Sequence, residues 1–395
     1  MGGNAIANQG FPVTRLNRED YNRLKDEVMN ILSSYYHYIG VKQFFLPEIP
    51  KSYENKDTFG DIDILMDLDG LPDGIDKDSV IRGLMKHYDV CENPDINKKD
   101  TQSANGIPYS VVHRNGSVVS VGIPVIKGQP ENGLFQVDLI SSHTPYFKYN
   151  VNYFSWNDLG NLMGVIASKT NQLKHGHDGL HAMVRDGDHL LGTVELTTDF
   201  TKGLEFLGYD PKRYYEGFED LEAIYTYASS PKWFDPEYFL DVNRSHTQRI
   251  RDRKRSTYSG FLKWCEVKKL EGYFNGKERV TDDLWKNRVN QFFPEFKEKE
   301  EALRVHFAKK KAVRQYFNGG LIIEQKVGIQ GPELGKFMER LKTHFKDNDA
   351  FEDFILANKD NAVSLLLKME NDNPTNTESS ANSLNQTKKK TGLKP

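Results

Sequence analysis

Three aspartates are the residues of this sequence best suited to do chemistry. Asp61 and Asp63 lie in Gly60-Asp61-Ile62-Asp63-Ile64-Leu65-Met66, where acid and apolar residues alternate as on a β-strand. Strand side chains alternate faces, so both carboxylates project to one side while Ile62 and Ile64 enter a core. Two adjacent anions repel, and a divalent cation that prefers hard oxygen ligands, Mg²⁺ or Mn²⁺, relieves the repulsion. Gly60 lets the backbone turn tightly and lets a phosphate come close. Asp138 stands between Val137 and Leu139 on another apolar run, where an acid is costly unless it is paired or bound to metal. Three carboxylates on neighbouring strands would hold two ions ~3.5–4 Å apart, a pair that stabilises the attacking and leaving oxygens of an in-line phosphoryl displacement. In that scheme Asp138 ligates the ion that activates the attacking hydroxyl and accepts its proton, and Asp61 and Asp63 bridge to a triphosphate. Asp-x-Asp by itself is common without a catalytic role. Asp67 and Asp69 form a second such pair, read as the strand's exit into the turn Gly70-Leu71-Pro72-Asp73-Gly74; the spacing and terminal Glu of a calcium loop are missing.

The acids need elements to carry them. Asn17 followed by Asp20 marks a helix start, and Tyr21, Leu24, Val28, Ile31, Leu32 and Tyr35 continue one apolar face. A strand is expected at Gln43–Leu46 and a polar loop over Glu92–Asn105. Tyr109–His113 and Ser117–Val121 flank Arg114-Asn115-Gly116, and Asn-Gly between β-rich runs predicts a tight hairpin. After a turn at Gln129–Gly133, Leu134–Ile140 reads as another strand. Residues 1–150 are thus expected to form an α/β domain with a small mixed sheet. The pattern then turns helical, with one helix opened by Ser155 and Asp158 and carrying Leu159, Leu162, Met163 and Ile166, and further helical stretches at Leu204–Phe206, Asp220–Ala228, Phe261–Lys269, Asp283–Phe293, Glu300–Tyr316 and Glu333–Phe345. This divides into a helical, aromatic region at 151–250 and a helical, basic region at 251–370. The Asn-, Ser-, Thr- and Lys-rich tail at 371–395 has too little apolar content to offset its ordering entropy and is expected to be disordered.

With its order of helix, strand, paired acids and a later third acid, Gly60-Asp61-Ile62-Asp63-Ile64-Leu65 resembles the DNA polymerase β-like nucleotidyltransferase superfamily over about residues 20–165. The resemblance implies an α+β fold with a polymerase β-like palm and a mainly helical C-terminal region. It implies catalytic Asp61, Asp63 and Asp138 holding two Mg²⁺ or Mn²⁺ ions, with an NTP as substrate. The family's first motif is a Gly-Ser or Gly-Gly opening a short helix. Here Ile49-Pro50-Lys51-Ser52 stands in that place, without the glycine, and the resemblance carries nucleotide contact onto Lys51, Ser52 and Gly60. Val327-Gly328-Ile329-Gln330-Gly331-Pro332-Glu333-Leu334-Gly335 is similar to a stretch in the C-terminal helical region of tRNA (CCA-adding) nucleotidyltransferases, and implies an RNA acceptor. An ordinary loop-to-helix junction explains it equally well.

Charge distribution points the same way. Arg249, Arg251, Arg253, Lys254 and Arg255 form one basic cluster, and Lys309, Lys310 and Lys311 form another beside His306, Phe307 and Tyr316. Basic residues mixed with aromatics suit a nucleic acid, and a solvated helix face is the plain alternative. His175, His177, Asp178 and His181 lie among glycines that suit a turn into a strand more than a zinc site. The aromatics from Tyr214 to Phe239 suit a helical core more than a base-stacking platform. P-loop and GxGxxG patterns are missing. Cys91 and Cys265, without CxxC spacing, suit a reducing cytoplasm, and no apolar run has the ~20 residues needed to cross a bilayer. The reading is Mg²⁺-dependent transfer of a nucleoside monophosphate to an acceptor hydroxyl, an RNA 3′ end foremost. Its rivals are transfer to a protein or small molecule, and a non-catalytic nucleic-acid-binding or scaffold protein of the same fold.

Overall fold

The computed structural model describes residues 4–372, apart from 96, 98–99, 170–172, 241–244, 254, 279–280 and 326–327. The tail from 373 onward therefore lies outside the described residues. The chain forms two compact units, 1–296 and 297–395.

The first unit opens with α1 (Asn4–Ala7) and β1 (Leu16–Asn17), followed by α2 (Arg18–Tyr38). Asn17 caps α2 as expected, its side chain accepting from the Asp20 N–H at 2.9 Å. Tyr21, Leu24, Val28, Leu32 and Tyr36 recur at helical spacing and are all buried. A 3-10 turn, not a strand, occupies Gln43–Phe45. Pro47 and Pro50, which have no N–H to donate, follow directly; Glu48 bridges to Leu65, and Phe45, Leu46 and Ile49 pack against the core that the sheet shares.

After β2 (Thr58–Phe59) come β3 (Asp61–Asp67), α3 (Lys77–His87), β4 (Cys91–Glu92), β5 (Tyr109–Ser110), β6 (Val112–Asn115), β7 (Val118–Pro124) and β8 (Leu134–Ser142). The main sheet has the order β3-β8-β7-β6. β3 runs parallel to β8, while β8–β7 and β7–β6 are antiparallel, so the sheet is mixed. The β6–β7 turn sits one residue later than expected: Asn115 pairs with Val118, and Gly116 and Ser117 form the tip. Gly116, at φ +60°, takes the position that requires a left-handed backbone.

One sheet face is a core. Ile62, Ile64, Met66, Val119, Val121, Val137 and Leu139 pack with the apolar sides of α2 and α3. The opposite face is covered at its two ends: Ile6 packs on Leu134 and Val111 at one, and α4 (Thr144–Phe154) closes the other. There Leu65 and Ile140 pack with Phe147 of α4, a helix that sequence reasoning did not foresee. Asp67 and Asp69 hold the start of α4: the Thr144 hydroxyl donates to Asp67 at 2.8 Å and the Thr144 N–H to Asp69 at 3.0 Å. The second acidic pair is thus a helix anchor.

α5 (Leu159–Lys169) follows, with Leu159, Leu162, Met163 and Ile166 buried. Then comes a three-stranded antiparallel sheet, in a region expected to be mainly helical apart from a turn into a strand near Gly176 and Gly179: β9 (Leu173–Gly176), β10 (Gly179–Asp186) and β11 (His189–Thr197), in the order β11-β10-β9. Its period of two was visible in Leu180, Ala182 and Val184, all buried. The unit ends with α6 (Phe200–Leu207), α7 (Pro211–Glu216), α8 (Leu221–Ala228), α9 (His246–Arg253), α10 (Ser256–Leu270) and α11 (Asp282–Phe292). Tyr214, Phe218, Tyr225, Tyr227, Trp233, Phe234 and Phe239 are buried, which makes the aromatic stretch a core. The molecule is of the mixed α+β class with a helical C-terminal half.

The second unit holds most of α12 (Phe296–Tyr316), with α13 (Gly319–Gln325), α14 (Gly331–Lys342), α15 (Asn348–Asn358) and α16 (Ala362–Asp372). Val313, Phe317, Ile322, Phe337, Leu341, Phe351, Ile355 and Leu366 are its core. Pro332 lies in the first turn of α14, as expected. Glu370 of α16 is buried between Arg340 of α14 and His344 just beyond its C-terminus, each at 2.6 Å. Breaking such a cluster from one side leaves uncompensated polar groups. Glu370→Ala should therefore destabilise this unit by about 3 kcal/mol, seen as faster amide exchange in α14 and α16 and a lower urea midpoint. A loss under about 1 kcal/mol would show that the cluster behaves as an exposed ion pair.

Candidate metal centre

Register brings the three expected acids together. In the β3–β8 ladder Asp61 faces Gln136 and Asp63 faces Asp138, so strand alternation points all four side chains to the same sheet face. The apolar cluster under α4 covers that face from Leu65 onward and leaves the Asp61–Asp63 end outside it. One oxygen from each of Asp61, Asp63 and Asp138 lies within 4.8 Å of the others. Asp61 and Asp63 keep an edge to solvent, and Asp138 is buried. Gly60 is buried at the junction of β2 and β3.

Such a group is electrostatically expensive. Burial first, then the charges of Asp61 and Asp138, push the Asp63 carboxyl well above the usual carboxylate range, against a smaller opposing pull from Lys56. Asp138 is pushed up to about 6, chiefly by burial and then by Asp61, while hydrogen bonds from Ser120 and Gln136 restrain the rise. The Gln136 amide donates to both Asp138 oxygens, at 3.0 and 2.9 Å. Every donor atom of the trio is a hard anionic oxygen, which fits Mg²⁺ or Mn²⁺ and not a soft thiolate-seeking ion.

Four neighbours were not foreseen. Ser120 pairs with Asp138 across the β7–β8 ladder. It and Gln136 were legible, because both are polar residues in phase with Asp138 on otherwise apolar strands. Lys56 and Tyr21 were not. Tyr21 stacks on Phe59 with ring centroids 3.7 Å apart, and Lys56 Nζ lies 4.8 Å from the same ring. Burial lowers Lys56, while Asp61 and Asp63 pull it the other way. Burial raises Tyr21, and Asp63 and Asp61 raise it further. Both side chains feel the acid cluster, although neither belongs to its strands.

The other expected site residues are placed as follows. Lys51 and Ser52 lie in coil, with no helix opening at Ser52. The Lys51 N–H donates to Ser155 Oγ at 3.0 Å, its carbonyl accepts from the Trp156 N–H at 2.6 Å, and its Nζ lies 5.7 Å from the Trp156 ring centre. Arg249 and Arg253 are on α9, with Arg253 exposed. Lys254 and the side chain of Arg251 lie outside the described residues. Arg255 pairs with Asp158, and Lys309 pairs with Asp353 at 2.7 Å. Lys310 and Lys311 are on α12, Lys311 exposed. His175 is buried against the Tyr149 hydroxyl, Oη to Nδ1 at 2.8 Å, and His181 lies 3.5 Å from Asp178. Among the described residues the aspartate trio is the one cluster of three or more His, Cys, Asp or Glu side chains whose ligand atoms come that close together.

None of the protein-family models matches this chain, and the curated proteins include no significant match to it.

Like-charge crowding predicts that Asp61→Asn raises the melting temperature of the metal-free protein, by roughly 2–4 °C for each kcal/mol relieved. If the trio is a cation site, Mn²⁺ should raise the melting temperature of the wild type further, and the same change should abolish that rise. A lower melting temperature for this variant in chelator would contradict the repulsion. A second prediction concerns His175, which burial holds neutral down to about pH 3. The unfolded chain takes up that proton near pH 6.5 and the native chain does not, so acid favours unfolding by about 1.4 kcal/mol per pH unit below that point. His175→Gln should flatten the fall of the urea midpoint between pH 6.5 and 5 relative to wild type; parallel curves would refute the assignment.

Proposed function

We propose that the chain is a divalent-metal-dependent nucleotidyltransferase that moves a nucleoside monophosphate from an NTP to an acceptor hydroxyl, releasing pyrophosphate. The observation that carries this reading is the convergence of Asp61, Asp63 and Asp138 within 4.8 Å on one sheet face. Bound Mg²⁺ or Mn²⁺ ions would supply charge neutralisation at the phosphoryl oxygens. The chain's own groups do the rest. Asp138, made more basic by its burial, is suited to accept the proton of the attacking hydroxyl. Asp61 and Asp63, at the accessible edge, are the ligands nearest an entering triphosphate. Lys56, which senses both acids, adds positive charge beside them.

An RNA 3′ end is the acceptor this reading favours, on the basic and aromatic character of the C-terminal half of the sequence. A protein or small-molecule hydroxyl is the second reading. It is favoured by one specific observation: Arg255 and Lys309, counted from the sequence as nucleic-acid contacts, are already engaged by Asp158 and Asp353.

Incubation with α-phosphate-labelled NTPs, Mg²⁺, total RNA and a protein lysate is expected to label RNA and release pyrophosphate, with loss to background in Asp61→Ala/Asp63→Ala. Label on protein or a small molecule alone would select the second reading. Wild type no better than the double variant in every fraction would defeat both.

A further inference from the structure

The third carboxylate is held by a contact that starts near the N-terminus. Gln136 precedes Asp138 by two residues on β8, so the two side chains share a sheet face. Its Nε2 donates to Asp138 Oδ1 at 3.0 Å and Oδ2 at 2.9 Å. Its Oε1 accepts the backbone N–H of Ile6 at 3.1 Å. A side-chain amide can be turned end for end, but a backbone N–H can only donate. The Ile6 N–H therefore decides which end is oxygen, and the NH₂ is left facing the carboxylate. Reversed, the amide oxygen would face Asp138, with lone pairs against an anion and Ile6 without an acceptor. Gln136 is 3% exposed and Asp138 9%, so water competes little for these bonds.

The segment that carries Ile6 is firmly seated. Ile6 is fully buried with Val111 and Leu134, and Phe11 and Val13 pack beside them. Leu134 exchanges backbone bonds with this segment, donating to Pro12 O and accepting from the Thr14 N–H, each at 2.8 Å. Leu16 and Asn17 then pair with Phe59 and Thr58, immediately before the paired acids. Residues 4–17 thus run as a strap along the ends of the strands where β8 and β3 begin.

We infer that Gln136 is a positioning residue: its amide, set by the Ile6 N–H, orients the Asp138 carboxylate for cation binding and makes the N-terminal strap part of the metal centre. The inference rests on reading the three aspartates as a cation site. Outer hydrogen-bond partners of this kind typically change metal affinity by about tenfold or more.

The test uses the full chain and the variants Gln136→Leu, Ile6→Pro, their combination, and Ile6→Val. Ile6→Pro removes the donor in the first turn of a helix, where proline is tolerated; Ile6→Val trims the packing and keeps the donor. Two readouts separate the claims. The Gln136 side-chain amide resonance, identified by its loss in Gln136→Leu, reports the relay without metal. It should be exchange-protected in wild type and Ile6→Val and lose protection in Ile6→Pro; protection unchanged in Ile6→Pro overturns the relay. Mn²⁺ titration by calorimetry, on variants whose melting shows them folded, reports the consequence. Gln136→Leu and Ile6→Pro should each weaken binding about tenfold, and the combination should be no weaker than Gln136→Leu alone. Wild-type affinity in Ile6→Pro, or losses that multiply, overturns the positioning role. Absence of Mn²⁺ binding by wild type defeats the nucleotidyltransferase reading and the metal role of Gln136 together, and leaves the amide result to decide the relay alone.

Discussion

Three carboxylates crowd within 4.8 Å of one another on one sheet face, and the groups around them answer that crowding. Burial and mutual repulsion raise Asp63 and Asp138 far from ordinary acids. A fold does not keep such a group by accident of packing, because an apolar replacement of similar shape relieves both costs. The molecule compensates in part. Gln136 and Ser120 donate hydrogen bonds to Asp138, Lys56 lies close enough to pull on Asp63, and the outer edges of Asp61 and Asp63 reach solvent. In the proposed function a divalent cation would neutralise the charge that remains on the cluster.

The scaffold makes this arrangement stiff. The acids stand on the two adjacent parallel strands of a four-stranded sheet whose other face is a full apolar core against α2 and α3. A register slip of one residue would turn Asp61 and Asp63 into that core and Ile62 and Ile64 out of it, so burial itself locks the acids in phase. On their own face, α4 seals the sheet up to Leu65 and Ile140. Two acidic pairs thus divide the labour along β3 and just past it: Asp61 and Asp63 form the open cluster, while Asp67 and Asp69 hold the first turn of α4.

Basic residues illustrate why charge counts along a chain mislead. Arg255 and Lys309 belong to the two richest basic stretches, yet each is turned toward an acid remote in sequence, Asp158 and Asp353. The aromatic stretch behaves likewise, because Tyr214, Phe218 and Phe234 are closed in a core and are not displayed. Composition names what a segment can do, and the partner across the fold decides whether it is available to do it.

Local rules of short range determined a good deal. Strand alternation placed Asp61 and Asp63 on one side, the Asn17 cap started α2, and the apolar run around Asp138 identified β8, because each depends on neighbours within a few residues. The same rules misjudged Gln43–Leu46, which Pro47 and Pro50 directly follow, and they found only a turn into a strand near Gly176 and Gly179 where a three-stranded sheet stands. Tertiary structure alone decided that β3 and β8 are adjacent and parallel with Asp63 opposite Asp138, that Lys56 and Tyr21 feel the acids, and that the amide of Gln136 answers to Ile6. Those are contacts between residues far apart in sequence, set by packing and register across the whole sheet, and no local periodicity encodes them.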